Sequence, residues 1–151
     1  MKIEVNGKDN YNIFINSNYV GNVDFFSKEE IISFIKDIIM KIKKRLRLNG
    51  FYKVKVFPQK KIGMFVELYK LDELEYSNNL DLRVVVYLDE ICFFETDDYF
   101  LIEHYNNKRY MDGKFFCIVD EFFDEILSKV EFGRFIYGKE VINLLNNGRI
   151  L

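Results

Sequence analysis

Tryptophan is absent from this 151-residue chain, and proline (Pro58) and histidine (His104) each occur once. Cysteine occurs twice, as Cys92 and Cys117. Each scarcity closes a door. A Ser-His-Asp or Cys-His constellation would have to use His104, which sits in the polar stretch EHYNNKRY and reads as a loop histidine rather than a general base. The cysteines lie inside the apolar runs ICFF and FFCIV, so they read as small buried hydrophobes in a reducing compartment. Two cysteines and one histidine at this spacing fit no zinc motif. No run of about 18 uncharged apolar residues is present to span a membrane. The opening MKIEVNGKDNYN carries charges where a secretory signal needs an apolar stretch. A cytoplasmic location is therefore expected, with no membrane partner.

Phosphate-binding patterns of the type GxxxxGK[ST] or GxGxxG are also missing. Adjacent carboxylates such as Asp89-Glu90 and Asp97-Asp98 would face opposite ways along a strand. Glu121, Asp124 and Glu125 could share a helix face, but they lack the spacing of a calcium loop and read as charge compensation at a helix start. A non-enzyme is expected, with no cofactor and no metal.

What the chain does contain is ample material for a core: 49% apolar residues and 17% aromatic ones, a composition unlike that of disordered segments. The net charge of −2 conceals a segregation. Residues 1–71 hold 14 Lys and Arg against 7 Asp and Glu, a net +7. Residues 72–131 hold 5 against 16, a net −11, and the last twenty return +2. Such asymmetry marks either interaction surfaces or two parts that complement each other.

Period-2 alternation and turn signals place strands at 2–5 and 11–15 around Asn6-Gly7. Ser27-Lys28-Glu29-Glu30 reads as a capping box, with Phe26 and Ile31 placed for a hydrophobic staple. Ile31, Ile35, Ile38, Ile39, Ile42 and Leu46 then recur at helical spacing, and Asn49-Gly50 supplies a stop. A hairpin follows. Tyr52, Val54 and Val56 alternate before Pro58 and the lysine turn, and Met64, Val66 and Leu68 alternate after Gly63. The polar stretch 72–80 reads as a connector between a basic part, 1–71, and an acidic, β-rich part, 81–151. Short strands are expected at 82–88, 91–94, 99–102 and 115–119, with a turn at Asp112-Gly113. Helices are expected at about 120–130 and 138–146. The fold class is α+β: a long helix on a mostly antiparallel sheet, then a small second β-rich part with C-terminal helices.

Three stretches resemble the MecA-type adaptor proteins of low-GC Gram-positive bacteria, in the family's order and over most of the chain. NIFINSNYV followed by SKEEI is similar to that family's opening strand and acid-rich helix start. Gly50, Val54, Val56, Phe57, Gly63 and Met64 stand as in its G-x-x-x-V-x-V-F-x-x-x-x-x-G-M hairpin. Tyr110-Met111-Asp112-Gly113-Lys114-Phe115-Phe116 is similar to its Y-x-x-G-K-Y-Y hairpin. The resemblance implies an adaptor whose N-terminal part captures a client protein and whose C-terminal part docks on a ClpC-type unfoldase.

The leading expectation is accordingly a non-enzymatic protein-binding adaptor or regulator. Its acidic, aromatic C-terminal part contacts the partner through Tyr110, Lys114, Glu121, Asp124 and Glu125. The alternative is a small nucleic-acid-binding protein using Lys43, Lys44, Arg45, Arg47, Lys60 and Lys61, a set otherwise read as a solvated helix end. A mobile-element inhibitor that occupies a host protein's surface is a third reading.

Overall fold

A computed structural model describes residues 1–71, 79–88, 90–120 and 132–151. The chain divides into two compact units, Met1–Asp89 and Glu90–Leu151. Helices and two five-stranded sheets account for the regular structure among the described residues.

In the first unit, β1 (Lys2–Val5) and β2 (Tyr11–Asn16) form a hairpin, and a single helical turn, α1 (Ser17–Val20), follows. Helix α2 (Lys28–Leu46) leads into β3 (Gly50–Gln59), β4 (Gly63–Lys70) and β5 (Leu80–Val86). The sheet order is β1-β2-β4-β3-β5, antiparallel throughout except that β5 runs parallel to β3. The helix starts where its sequence says it should, because Ser27 Oγ accepts a bond from the Glu30 amide at 3.3 Å. Ile31, Ile35, Ile38, Ile39 and Ile42 form its buried stripe, sharing one core with Ile13, Ile15, Tyr52, Val54, Val56, Met64, Val66 and Leu68. Those sheet residues are the alternating set on one face of β2, β3 and β4.

Two details of that start differ from the sequence pattern. The Ser27 amide donates to the Asp24 carbonyl at 3.1 Å, the group the reciprocal half of the capping box would have used. Phe26 forms no staple: its own amide is tied to the Asp24 carboxylate, and its ring is 65% exposed beneath the Lys60 ammonium. The helix also ends earlier than Asn49-Gly50. Arg47 takes a left-handed conformation (φ 54°), and its amide closes onto the Lys43 and Lys44 carbonyls.

Tyr52 lies in the middle of this core, 1% exposed. Burial, aided by Asp9 and Tyr11, pushes its hydroxyl from 10.0 up to about 12. Between those two values the unfolded chain releases the proton while the folded chain keeps it, so stability falls as pH rises through that window. Denaturant midpoints measured across it should fall more steeply for the native protein than for Tyr52→Phe. Parallel curves for the two would show that the buried hydroxyl has no part in the alkaline loss.

The second unit contains β6 (Phe93–Thr96), a 3-10 turn (Tyr99–Leu101), β7 (Lys108–Met111), β8 (Lys114–Ile118), β9 (Gly133–Ile136), α3 (Lys139–Asn147) and β10 (Arg149–Ile150). The sheet order is β10-β7-β8-β6-β9, all antiparallel. Alternation divides its apolar residues between two faces. Phe93, Phe116 and Ile136 meet Val141 and Leu144 of α3, while Phe94 and Cys117 meet Ile102 and Tyr105 beyond the 3-10 turn.

The unit boundary is therefore not the connector at 72–80. Residues 80–86 pair with β3 along their whole length and belong to the first sheet. The 99–102 segment is not a strand either. Asp98 accepts a bond from the Phe100 amide and turns the chain into a 3-10 helix. Strands β9 and β10 carried too few residues to register as sequence patterns. The helix expected at 120–130 lies outside the described residues.

Candidate functional site

The two described residues of the proposed partner surface, Tyr110 and Lys114, sit on the β7–β8 hairpin. Asp112 and Gly113 both take positive φ at its tip, as a two-residue turn requires. Register then separates the pair. Tyr110 stands opposite Phe115, their rings 5.3 Å apart, with the Arg149 guanidinium 5.4 Å from the Tyr110 ring centre. Lys114 stands opposite Met111, on the α3 side, 3.7 Å from Asp97. The two side chains point to opposite faces of the sheet and form no single surface. Glu121, Asp124 and Glu125 lie outside the described residues.

The basic set is also divided. Lys43, Lys44, Arg45 and Arg47 crowd the C-terminal end of α2, where the helix dipole favours cations. Lys60 and Lys61 form the turn between β3 and β4, and Lys60 lies 6.0 Å from the Phe26 ring, just before the helix N-terminus. Residues 28–42 of the helix lie between the two groups, about 22 Å at 1.5 Å per residue. The sheet face turned away from α2 carries Lys53, Lys55 and Arg83 beside Glu67 and Asp81. It also carries a row of rings, Phe14, Phe65, Phe57 and Tyr87. Phe57 and Phe65 are only 5% and 8% exposed, so they offer no platform for stacking bases.

Both cysteines are buried, as their apolar surroundings imply. Burial first, and the neighbouring Cys117 second, push the Cys92 thiol far up, away from the reactive thiolate. His104 is exposed in a turn and lines a small hollow of about 220 Å³ with Tyr105, Asn106, Ile118 and Asp120. A wider cleft of about 530 Å³ is lined by Glu95, Thr96, Asp97, Asp98, Lys114 and Arg134 among others. Most of its charges are engaged with one another, and the Asp98 carboxylate accepts from the Phe100 amide. Arg134 bonds Glu140 through two nitrogens at 2.7 and 3.3 Å and reaches Glu95 at 2.9 Å. Burial opposes the Arg134 charge, but Glu140 and then Glu95 outweigh it and hold the guanidinium above its ordinary range. The arrangement fastens the start of α3 to the sheet. Among the described residues no group of three His, Cys, Asp or Glu is placed to hold a metal ion. No helix among them is long and apolar enough to cross a membrane.

Sequence reasoning missed a set of exposed apolar side chains in the last ten residues. In α3, Val141 and Leu144 face the core, whereas Ile142 and Leu145 are 60% and 40% exposed and neighbours at i, i+3. Gly148 then turns the chain directly into β10, where Arg149 covers Tyr110 on one face. Ile150, the next residue, points to the α3 side and is 71% exposed. The signal was present as four apolar residues in the helix, Val141, Ile142, Leu144 and Leu145, more than a nine-residue helix needs for its buried face, with Ile150-Leu151 just beyond it. No protein-family model, no curated protein and no solved structure matches this chain.

Proposed function

We propose that the protein is a non-enzymatic, protein-binding adaptor or regulator, with its second unit docking on a ClpC-type unfoldase and its first unit holding a client protein. The observation that carries this reading is the apolar set Ile142, Leu145 and Ile150 on the α3 side of the second sheet. Exposed apolar patches flanked by polar residues mark protein-interaction surfaces. The polar surround comes from Lys139, Glu140, Asn143 and Asn147. The resemblance to the MecA-type adaptors supplies the identity of the partner and the division of labour. The order of strand pair, helix and hairpin in the first unit supports that resemblance. The nucleic-acid reading loses ground, because its six cations fall into two groups at opposite ends of a helix.

The test is binding and ATPase stimulation with a purified ClpC-type unfoldase. The full chain should co-elute with it and raise its ATPase rate, and Ile142→Asp/Leu145→Asp should weaken binding by about tenfold or more. Absence of any complex with the unfoldase would remove that partner. A complex indifferent to the double substitution would remove this surface.

A further inference from the structure

Sheets protect their outer strands by keeping them short, or by placing proline, bulges or charges on them. Three of the four end strands here follow that rule. Strand β1 has four residues, including the Lys2–Glu4 ion pair; β10 has two; β9 has four, including Gly133 and Arg134. Strand β5 follows it least, its only protection being one exposed acid and one exposed base, Asp81 and Arg83, of opposite sign. It is seven residues long, free of proline and glycine, and in unbroken register with β3. Its helix-side residues Leu80, Leu82, Val84 and Val86 are all apolar. Among the described residues no strand pairs with its other side.

The direction of its hydrogen bonds can be read from both ends. The Asn79 carbonyl accepts from Gly50, and the Tyr87 amide donates to Val56, so odd-numbered residues bond to β3. Leu80, Leu82, Val84 and Val86 therefore point their N–H and C=O groups outward. An added antiparallel strand bonds to these even-numbered residues. If the added strand is β5 of a second copy, a two-fold axis through Leu82 sets Leu82 against Leu82 and Leu80 against Val84. The same axis sets Asp81 against Arg83 twice, on the face away from the helix. Shifting the axis by one residue either way sets Arg83 against Arg83 or Asp81 against Asp81. Asp81 and Arg83 are exposed, and among the described residues neither has an ion-pair partner. Arg83 instead has the like-charged Lys53 beside it on β3.

We infer that the chain forms a two-fold homodimer through β5, in the single register in which Asp81 and Arg83 of the two copies pair. The two sheets join into one, with Leu82 at the axis and the helix sides aligned. The inference is independent of the adaptor reading.

Sedimentation equilibrium from micromolar to millimolar concentration tests it, with the amide exchange of Leu80, Leu82 and Val84 as a structural readout. The native chain should dimerise, and those three amides should gain protection as it does. Arg83→Asp, which sets a second carboxylate against Asp81 at both pairs, should weaken the dimer at least about tenfold. The charge-swapped D81R/R83D chain should recover it. Circular dichroism checks that both variants fold, which their surface positions favour. A native chain that stays monomeric throughout would overturn the inference. So would an Arg83→Asp chain that dimerises as well as the native one, or a swap that fails to recover the dimer.

Discussion

Gly63→Ala should destabilise the first unit by about 3–5 kcal/mol, more than any single truncation at the surface. Gly63 opens β4 at φ 140°, paired with Asn16 of β2 and Gln59 of β3. A methyl group there would be driven into the Ile15 carbonyl and within 2.8 Å of the Asn16 Cα. Both obstacles are backbone, and β2 is held from its other side by β1, so no flexible side chain can make way. Strain at the dihedral and collision with the neighbouring strand act together. Gly7→Ala is the proper comparison: its φ is 94°, yet an added methyl group meets nothing within 4 Å. It should cost only about 1–2 kcal/mol for the left-handed conformation. Urea unfolding followed by circular dichroism, with amide exchange in β2 and β4, measures both. Equal losses for the two glycines would mean that the close approach of β2 to Gly63 carries no energetic weight.

Phe94→Ala should have a comparable effect on the second unit, about 3–5 kcal/mol. Phe94 is completely buried, among Ile102, Tyr105 and Cys117, with the Phe135 ring 5.5 Å away. It sits on an inner strand of a unit of about sixty residues, a size at which the margin of stability is small. Losing the ring should leave that unit largely unfolded at physiological temperature. Amide protection should collapse in β6 and β8 while the β3–β4 hairpin of the first unit keeps most of its own. Phe100→Ala, which removes a ring that is 76% exposed, should change stability by less than about 0.5 kcal/mol. A Phe94→Ala chain with native exchange rates in β8 would show that the face opposite α3 is not a core.

The parts of this fold that were legible in the sequence are those set by local physics. Ile31 to Ile42 recur at helical spacing behind Ser27, and Tyr52 to Leu68 alternate about a turn, so both elements and their buried faces follow from neighbouring residues. Long-range choices were not legible. Residues 80–86 alternate equally well for either sheet, and their attachment to β3 depends on residues thirty positions earlier. The short apolar run 99–102 was decided by one carboxylate, Asp98, competing for a backbone amide. The candidate site suffered in the same way. Tyr110 and Lys114 lie in one hairpin, but the pairing of Tyr110 with Phe115 and Met111 with Lys114 sends them to opposite faces. Lys43 to Arg47 and Lys60-Lys61 are close in sequence and far apart in space, because β3 runs back along the full length of the helix.

Strand order in the first sheet also governs when that unit can fold during synthesis. The hairpins β1–β2 and β3–β4 close locally, each within about twenty residues. The N-terminal hairpin, however, joins the sheet only through β4, some fifty residues downstream, and β3 acquires its parallel neighbour only with β5. Non-local pairings of this kind form slowly and late. A ribosome that has exposed β1, β2 and α2 therefore presents an amphipathic isoleucine helix with no sheet to cover it. That interval, rather than any weakness of the finished fold, is when this chain is most open to aggregation or to a chaperone.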